Sequence, residues 1–242
     1  MRIFYTLIKM NTIKEYCYPY PRPSVTTDCV IFGFDGDGLK VLLIERANEP
    51  YSGHWAFPGG FLDMDESAED CAKRELFEET GLNNVFIEQL YTFTQPNRDP
   101  RGRVITIVYY ALIKQADYVI TAGDDAKQAK WFSLNDIPQL AFDHEEILQT
   151  AMIRIKGKIR YQPIGFELLD EKFTIPELQH LYEAILNVKL DRRNFYRKIM
   201  ATKLLIPLNE KKANVSHRAP QYFCFNKTKY EELSKHGFNF EI

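Results

Sequence analysis

The chain of 242 residues is poor in cysteine and has no long apolar run. Its four cysteines, Cys17, Cys29, Cys71 and Cys224, lie far apart and form no C-x-x-C pair. Cysteines scattered in this way argue against a disulfide framework and against a structural zinc site. No stretch approaches the roughly 18 apolar residues of a membrane span, and Lys9 interrupts the short apolar run near the start. We therefore expect a reduced, cytoplasmic protein without a membrane partner.

Acidic residues are scarce in one part of the chain. The formal net charge is only −2, but residues 187–229 contain 11 lysines and arginines against two aspartates and glutamates. Residues 1–160 have the opposite balance, with 23 acidic and 18 basic residues. A basic block of this kind favours a polyanionic partner. The composition therefore predicts an acidic part joined to a part suited to bind nucleic acid.

The first two thirds of the chain alternate between strand and helix signals. Residues 1–24 end in YPYPRPS, whose prolines favour an extended arm. Two runs rich in β-branched and aromatic residues, 25–34 and 39–44, flank a DGDG turn, which is a strong hairpin signal. Further strands are predicted at 85–94, at 104–113 and around Trp131 and Phe132, and helices at 68–80 and from an Asp143 cap to about residue 155. These signals predict an α+β fold with a mixed sheet between helices.

A different pattern begins at about residue 161. Thr174 to Glu177 reads as a capping box at the start of one helix, and Asp191 as the cap of a second, basic helix. Two apolar runs, 204–208 and 221–225, then flank a polar, basic loop. Helix, tight connector, basic helix and hairpin together predict a winged helix-turn-helix. We therefore divide the chain into an arm (1–24), a first domain (25–160) and a winged-helix domain (161–242).

Three carboxylates lie on one face of the predicted helix at 68–80. Glu75, Glu78 and Glu79 are at positions i, i+3 and i+4, so they share one arc of a helix that turns about 100° per residue. Like charges at this spacing destabilise an isolated helix, and a hard divalent cation would offset their repulsion. Ser67 is expected to cap the helix and Gly81 to end it. The pattern predicts a cation site, with a solvated acidic face as the alternative.

The spacing around these glutamates is that of a known family. Gly60, five residues, Glu66, seven residues and then REL-x-EE-x-GL at 74–82 resemble, without a departure, the signature of the Nudix hydrolase superfamily. The resemblance implies a Nudix α/β/α sandwich with a mixed sheet. We expect Mg²⁺ or Mn²⁺ at a metal site formed by Glu78 and Glu79, with Glu75 as a third ligand and the Gly60 carbonyl as a backbone ligand.

Hydrolysis of a diphosphate needs neutralised phosphate oxygens, an activated water and a leaving group held in line. The predicted catalytic residues are Glu66, Arg74, Glu75, Glu78 and Glu79. Arg74 is expected to orient the carboxylates by pairing with Glu66 or Glu75. The candidates for the catalytic base are Glu75, Asp124, Asp125 and Glu145, and the sequence does not separate them.

The segment after the acidic helix bears on the substrate. Pro96, the fifteenth residue after Gly81, is similar to the pattern of ADP-ribose pyrophosphatases, although a proline in a turn is as often structural. Arg98, Arg101 and Arg103 follow it and could contact phosphate or ribose. We therefore expect ADP-ribose or a related nucleoside diphosphate derivative as the ligand.

The segment FTIPELQHLYEAILNVKLDRRNFYRKI looks like the DNA-binding domain of the Nudix-related transcriptional regulators, a bacterial family that controls NAD metabolism or sugar use. The predicted contacts to duplex DNA are Arg192, Arg193, Asn194, Arg197, Lys198, Lys212 and Arg218. Because winged helices commonly act as symmetric pairs, we expect a homodimer. The alternative for this domain is a small helical packing or dimerisation domain with a solvated basic face.

Two functions therefore remain open for the whole chain. The first is a Nudix-type metal-dependent hydrolase of ADP-ribose or a related compound, fused to a DNA-binding winged helix. The second is a ligand-sensing transcriptional regulator whose Nudix domain has little or no turnover. The intact glutamate pattern favours retained metal binding and hydrolysis.

Overall fold

The computed structural model describes residues 18–123, 126–213 and 219–235. Its first part is built on a seven-stranded mixed sheet in which β3-β2-β1-β6-β5 lie side by side. The strands are β1 (Ser24–Phe34), β2 (Leu39–Arg46), β3 (Trp55–Ala56), β4 (Gly59–Phe61), β5 (Glu88–Phe93), β6 (Val104–Lys114) and β7 (Ala126–Ser133). β4 pairs with β1 and β7 with β2. Among the described strands of this sheet, β1 and β6 form the parallel pair, and the pairing joins them along their full length.

The central strand β1 is covered on both faces, which explains its nearly continuous apolar sequence. Because side chains alternate along a strand, Cys29 and Ile31 enter a cluster with α1 (Ala68–Thr80). Val30 and Phe32 enter the opposite cluster, with α2 (His144–Tyr161). The predicted α/β/α sandwich is thereby confirmed.

Most of the predicted helices and strands are present, and some of their ends agree with the sequence better than others. Ser67 accepts a hydrogen bond from the Asp70 N–H, and Gly81 ends α1 with a φ of 73°, as expected. In contrast, α2 continues to Tyr161 instead of ending near residue 155. Asp143 is at the N-cap position of α2, as predicted, but its carboxylate makes no cap bond and binds Arg98 instead.

The C-terminal part is a winged helix-turn-helix. The strands β8 (Phe173–Thr174), β10 (Gln221–Phe225) and β9 (Leu205–Lys211) form a sheet in that order. The helices are α3 (Ile175–Leu186), α4 (Arg192–Ala201) and α5 (Lys227–Lys235), and a 3₁₀ turn at Ile164–Leu168 precedes them. The predicted capping box of α3 is present, with Thr174 and Glu177 bonded reciprocally. The helix α5 was not predicted.

The two parts of the molecule share a core. One buried cluster contains Phe34 and Val41 of the large sheet, Ile155 of α2, and Leu181 and Phe195 of the winged helix. Polar contacts add to this joint, since the His180 Nε2–H donates to the Asp37 carbonyl at 2.8 Å and Lys114 pairs with Asp170. None of the helices in the described ranges is long and apolar enough to cross a membrane.

Candidate nucleotide and DNA sites

The glutamate face of α1 lies against the Gly59–Gly60 segment of β4. Glu79 is only 9% exposed, and its carboxylate accepts a hydrogen bond of 2.8 Å from the Gly59 N–H. A side chain at Gly59 would bring its Cβ to 2.1 Å from the Thr27 carbonyl oxygen, and one at Gly60 to 2.2 Å from the Glu75 carboxylate. Glycine is therefore required at Gly59, where the neighbour is the backbone of β1, whereas a side chain at Gly60 would displace the Glu75 carboxylate.

Arg74 links the carboxylates of this face. Its guanidinium donates two hydrogen bonds to Glu66, at 2.7 and 3.1 Å, which is the strong bidentate arrangement. The remaining nitrogen, Nη1, donates to Glu75 at 2.7 Å and to Glu78 at 3.1 Å. The sequence predicted pairing with Glu66 or Glu75, and the structure shows both together with Glu78.

Burial and neighbouring charge perturb the acids unequally. Desolvation is the largest influence on Glu79, and the nearby charges of Glu75 and Asp28 act in the same direction, so its pKa is raised to about 8. The pKa of Glu75 is also raised, mainly by burial. The hydrogen bonds from Arg74 lower the pKa of Glu66 to about 2. The face therefore holds one firmly ionised acid beside two acids whose charge is unfavourable without a counter-ion.

The donor set matches a hard divalent cation in chemistry, since all its members offer oxygen. In the part of the chain that the structure describes, however, no three His, Cys, Asp or Glu side chains are arranged to hold a metal ion. Arg74 accounts for this, because Glu75 and Glu78 both bind its guanidinium. Arg74 uses one oxygen of each carboxylate, so a cation would bind the second oxygens or displace the guanidinium.

A small cavity of about 60 Å³ opens beside Gly59 and Gly60. Arg46 and Arg101 line it, and both guanidinium groups lie over the ring of Phe142, at 4.9 and 5.4 Å from its centroid. Glu79 and Arg46 are close enough for their charges to affect each other's pKa. The cavity is too small for a whole nucleoside diphosphate sugar, but the guanidinium groups of Arg46 and Arg101 suit a phosphate group.

The three predicted substrate arginines have different positions. Arg101 lines the cavity and pairs with Asp99. Arg98 also borders it, but its side chain is 3% exposed and forms a bidentate pair with Asp143. Arg103 is not among the lining residues and donates to the Thr94 carbonyl at 2.8 Å.

Sequence reasoning missed Arg46, Phe142 and His144, which line the same cavity. None of them is in the glutamate motif, and they come from the end of β2 and the start of α2. Among the candidate bases, Glu145 is exposed on the first turn of α2. Asp124 and Asp125 lie outside the described residues.

The basic face of the winged helix is formed by α4. Asp191 accepts a hydrogen bond from the Asn194 N–H and so caps the helix, as predicted. Phe195 and Ile199 are buried, which leaves Arg192, Arg193, Asn194, Arg197 and Lys198 exposed. A groove of about 550 Å³ runs past Arg192, Arg193 and Tyr196 to Gln179 and Gln221. This surface combines cations with hydrogen-bonding side chains, as an interface with duplex DNA requires.

The two predicted wing residues are placed differently. Lys212 pairs with Glu177 at 2.6 Å, beside the joint with the large sheet. That pair uses one of the three donors of the Lys212 ammonium group. Arg218 lies outside the described residues.

Family comparisons agree with this geometry. The NUDIX domain family matches residues 22–151, and the NrtR DNA-binding winged helix domain family matches residues 165–225. The "ADPR responsive transcriptional repressor NtrR" of Acinetobacter baylyi is 35% identical over 225 residues, which are 91% of this chain and 87% of that protein. The ADP-ribose pyrophosphatase of Methanocaldococcus jannaschii is 42% identical over 146 residues, which are 60% of this chain and 82% of that enzyme.

Solved structures are similar over the same ranges. Shewanella oneidensis NrtR complexed with a 27mer DNA is 34% identical with a TM-score of 0.69, covering 86% of this chain and 95% of that one. The NUDIX domain of the same protein complexed with ADP ribose is 36% identical with a TM-score of 0.53, covering 56% of this chain and 90% of that one. The chain therefore belongs to the Nudix superfamily, among the proteins in which a NUDIX domain precedes an NrtR DNA-binding winged helix.

Proposed function

We propose that this protein is an ADP-ribose-responsive transcriptional regulator that also hydrolyses its ligand. In this proposal the NUDIX domain, residues 25–160, binds ADP-ribose or a related nucleoside diphosphate derivative, and the winged helix, from residue 161, binds duplex DNA. The observation that carries the proposal is the meeting of Glu79, Arg46 and Arg101 around the Gly59–Gly60 segment. The guanidinium groups that would bind a diphosphate lie there beside the carboxylate that would bind a metal.

Retained hydrolysis is proposed because the glutamate set is complete and in place. Glu75, Glu78, Glu79 and the Gly60 carbonyl would hold Mg²⁺ or Mn²⁺. A divalent cation at this position would offset charge on the phosphate oxygens and activate water near neutral pH. Arg74, held by Glu66, would keep two of these carboxylates oriented, since it already bonds to Glu75 and Glu78.

One observation favours the second function, a sensor with little turnover. Arg74 occupies two of the three carboxylates that a metal would need, and burial keeps the pKa of the third at about 8. If Arg74 takes the place of the metal when ligand is present, the domain binds ADP-ribose without cleaving it. The two functions share one ligand and differ only in turnover.

Turnover separates the two functions directly. Purified protein is incubated with ADP-ribose and Mg²⁺ or Mn²⁺, and formation of AMP is followed by chromatography. We expect hydrolysis that Glu78→Gln and Glu79→Gln each reduce by orders of magnitude, because each change removes a charge and keeps the volume. Glu69→Gln on the same helix is the matched control, since Glu69 pairs with Lys73 away from the site. Absence of AMP from the wild-type reaction would leave the sensor function.

On the DNA side, Arg192, Arg193 and Asn194 at the start of α4 would approach base edges. Arg197 and Lys198 would contact phosphates, together with Lys212 and Arg218 if the wing adjoins the duplex. We further propose that the protein binds DNA as a homodimer on two half-sites. Light scattering at micromolar concentration tests this, and a monomeric mass would contradict it.

A further inference from the structure

The helix α2 begins at the nucleotide cavity and ends in the shared core. Phe142 and His144, at its start, line the cavity. Ile155 and Ile159, near its end, are buried in the cluster that contains Leu181 of α3. At a rise of about 1.5 Å per residue, its 18 residues span about 27 Å. A single helix therefore connects the nucleotide cavity beside Gly59 and Gly60 to the core that the winged helix shares.

Asp143 fixes the start of α2 to the loop that carries Arg101. Its carboxylate accepts hydrogen bonds of 2.8 and 2.6 Å from Arg98, and the two side chains are 14% and 3% exposed. The Asp143 carboxylate makes no cap bond to its own helix and binds this loop side chain instead, while the Asp143 carbonyl accepts from the Ile147 N–H at 3.2 Å. A shift of this loop would thus move the N-terminal end of α2.

His144 provides a second attachment at the same end. Its Nδ1 accepts a hydrogen bond of 3.0 Å from the Phe57 N–H, in the segment that leads to Gly59. The imidazole is buried and stacks on the Phe57 ring with centroids 5.1 Å apart. The first turn of α2 is therefore bonded to both segments that border the cavity.

Phe142 stands between these attachments in a backbone conformation that non-glycine residues seldom adopt. Its φ is 53°, in the left-handed region, where strain is found most often at functional and switching positions. Its ring contacts the guanidinium groups of Arg46 and Arg101. A diphosphate that drew these two cations would remove contacts that hold the ring in place.

We infer that residues 142–144 and the helix α2 transmit occupancy of the nucleotide cavity to the winged helix, with Asp143 as a positioning residue. The inference rests on the proposed function and names the route of its regulation. At the far end, α2 contacts α3 and the preceding 3₁₀ turn directly. Movement of α2 would thereby change the placement of α3 and α4 relative to the NUDIX domain.

A competing route exists through the β1–β2 hairpin. There the Asp37 carbonyl accepts from His180 of α3, and the Phe34 and His180 rings are 6.3 Å apart. This route starts at the opposite end of β1 from the cavity, since Thr26 and Asp28 line the cavity and Phe34 ends the strand. The two routes therefore predict different sensitive residues.

The test measures the ratio of DNA affinities without and with saturating ADP-ribose. Full-length protein is titrated into a fluorescent duplex from its own upstream region, with EDTA to prevent turnover. In the wild type, we expect ADP-ribose to change the DNA affinity at least about fivefold. In Asp143→Asn, the two DNA affinities should be nearly equal. His180→Ala should retain the wild-type ratio, as should Glu232→Gln, which removes an exposed ion pair on α5.

A second variant covers the case in which Asp143→Asn does not fold. Replacing Arg98 by Met together with Asp143 by Leu removes the link without leaving a buried unpaired charge, and it should also bring the ratio close to one. Calorimetry must show that the variants still bind ADP-ribose, because loss of binding would place the Arg98–Asp143 pair in the binding site and overturn the inference. Wild-type coupling in both variants, or loss of coupling in His180→Ala alone, would also overturn it. A wild-type ratio of one would instead refute the proposed function.

Discussion

Glu79 occupies a position that only a charged or hydrogen-bonding side chain could satisfy. It accepts from the Gly59 N–H, and its other neighbours include the carboxylates of Glu75 and Asp28. Burial among like charges raises its pKa to about 8, against about 4.3 for an unfolded chain. Between these two values the folded protein retains a proton that the unfolded chain has released.

Stability of the metal-free protein should therefore depend on Glu79. As pH rises towards about 8, the free energy of unfolding should fall by about 1.4 kcal/mol per pH unit relative to Glu79→Gln. Glu79→Gln keeps an oxygen that accepts from the Gly59 N–H, but it has no ionisable group at this position. Urea unfolding in EDTA between pH 6 and pH 8 measures this, and parallel profiles for the two proteins would contradict it. Mg²⁺ at pH 8 should then stabilise the wild type more than the variant.

The two arginines of one loop give a matched test of the cavity. Arg101 lines it, whereas Arg103 bonds to the Thr94 carbonyl. Arg101→Ala should weaken ADP-ribose binding by about 1.5–3 kcal/mol, since a charge-assisted hydrogen bond is lost. Arg103→Ala should change it by less than about 0.5 kcal/mol. Calorimetry in EDTA compares them, and equal losses would mean that the ligand lies elsewhere.

The carboxylates of the predicted metal site lie on one helix, whereas the site residues that could not be predicted from the sequence lie on separate segments. Arg74, Glu75, Glu78 and Glu79 are on one helix, where a 3.6-residue period fixes which side chains share a face. Arg46, Phe142 and His144 come from separate segments that meet only when the sheet forms. Their chemistry was visible in the sequence, but their convergence was not.

The connector between α3 and α4 shows how one side chain can set the angle of two helices. Glu183 accepts hydrogen bonds of 2.9 Å from the Leu190 N–H and 3.0 Å from Gln179, and it pairs with Lys189 at 3.0 Å. Gln179 in turn donates to the Leu190 carbonyl at 2.9 Å. The backbone donor and acceptor of Leu190 are both satisfied by α3, so the approach to α4 is fixed.

Removing this carboxylate should loosen the helix-turn-helix. Glu183→Ala leaves the Leu190 N–H without its partner and should cost about 1–3 kcal/mol of stability. DNA affinity should fall as well, because α4 is no longer held against α3. Denaturant unfolding and fluorescence anisotropy measure the two effects, with Glu232→Ala on exposed α5 as the control. Unchanged DNA affinity in Glu183→Ala would show that the connector does not set the position of α4.

Element ends were predictable where a local cap decides them. Ser67, Gly81, Thr174 and Asp191 all mark helix ends in the sequence and in the structure. The strands β3 and β4 were not predicted, because two or three residues carry no periodicity and their pairing depends on β1 and β2. The extension of α2 to Tyr161 was missed because its final turns are stabilised by the shared core.

The two domains are held together by a shared hydrophobic core and not only by the chain that links them. Phe34, Ile159 and Leu178 belong to one buried cluster, so the winged helix rests on the NUDIX sheet and α2. Sequence indicated two domains from the change in charge and pattern near residue 161, but it gave no sign of this common core. A shared core permits a change at one site to alter the other, since packed interfaces have few alternative arrangements.

The most direct test is the affinity of the full-length protein for its upstream DNA, measured by fluorescence anisotropy in EDTA at low salt, with and without ADP-ribose. We predict specific binding whose dissociation constant changes at least about fivefold when ADP-ribose saturates the NUDIX domain, and a reciprocal change in ADP-ribose affinity when DNA is bound. AMP serves as the control nucleotide and should have a smaller effect, because it lacks the diphosphate that Arg46 and Arg101 are proposed to hold. No binding to the duplex, or binding that ADP-ribose leaves unchanged, would contradict the proposal that this protein is a ligand-responsive regulator.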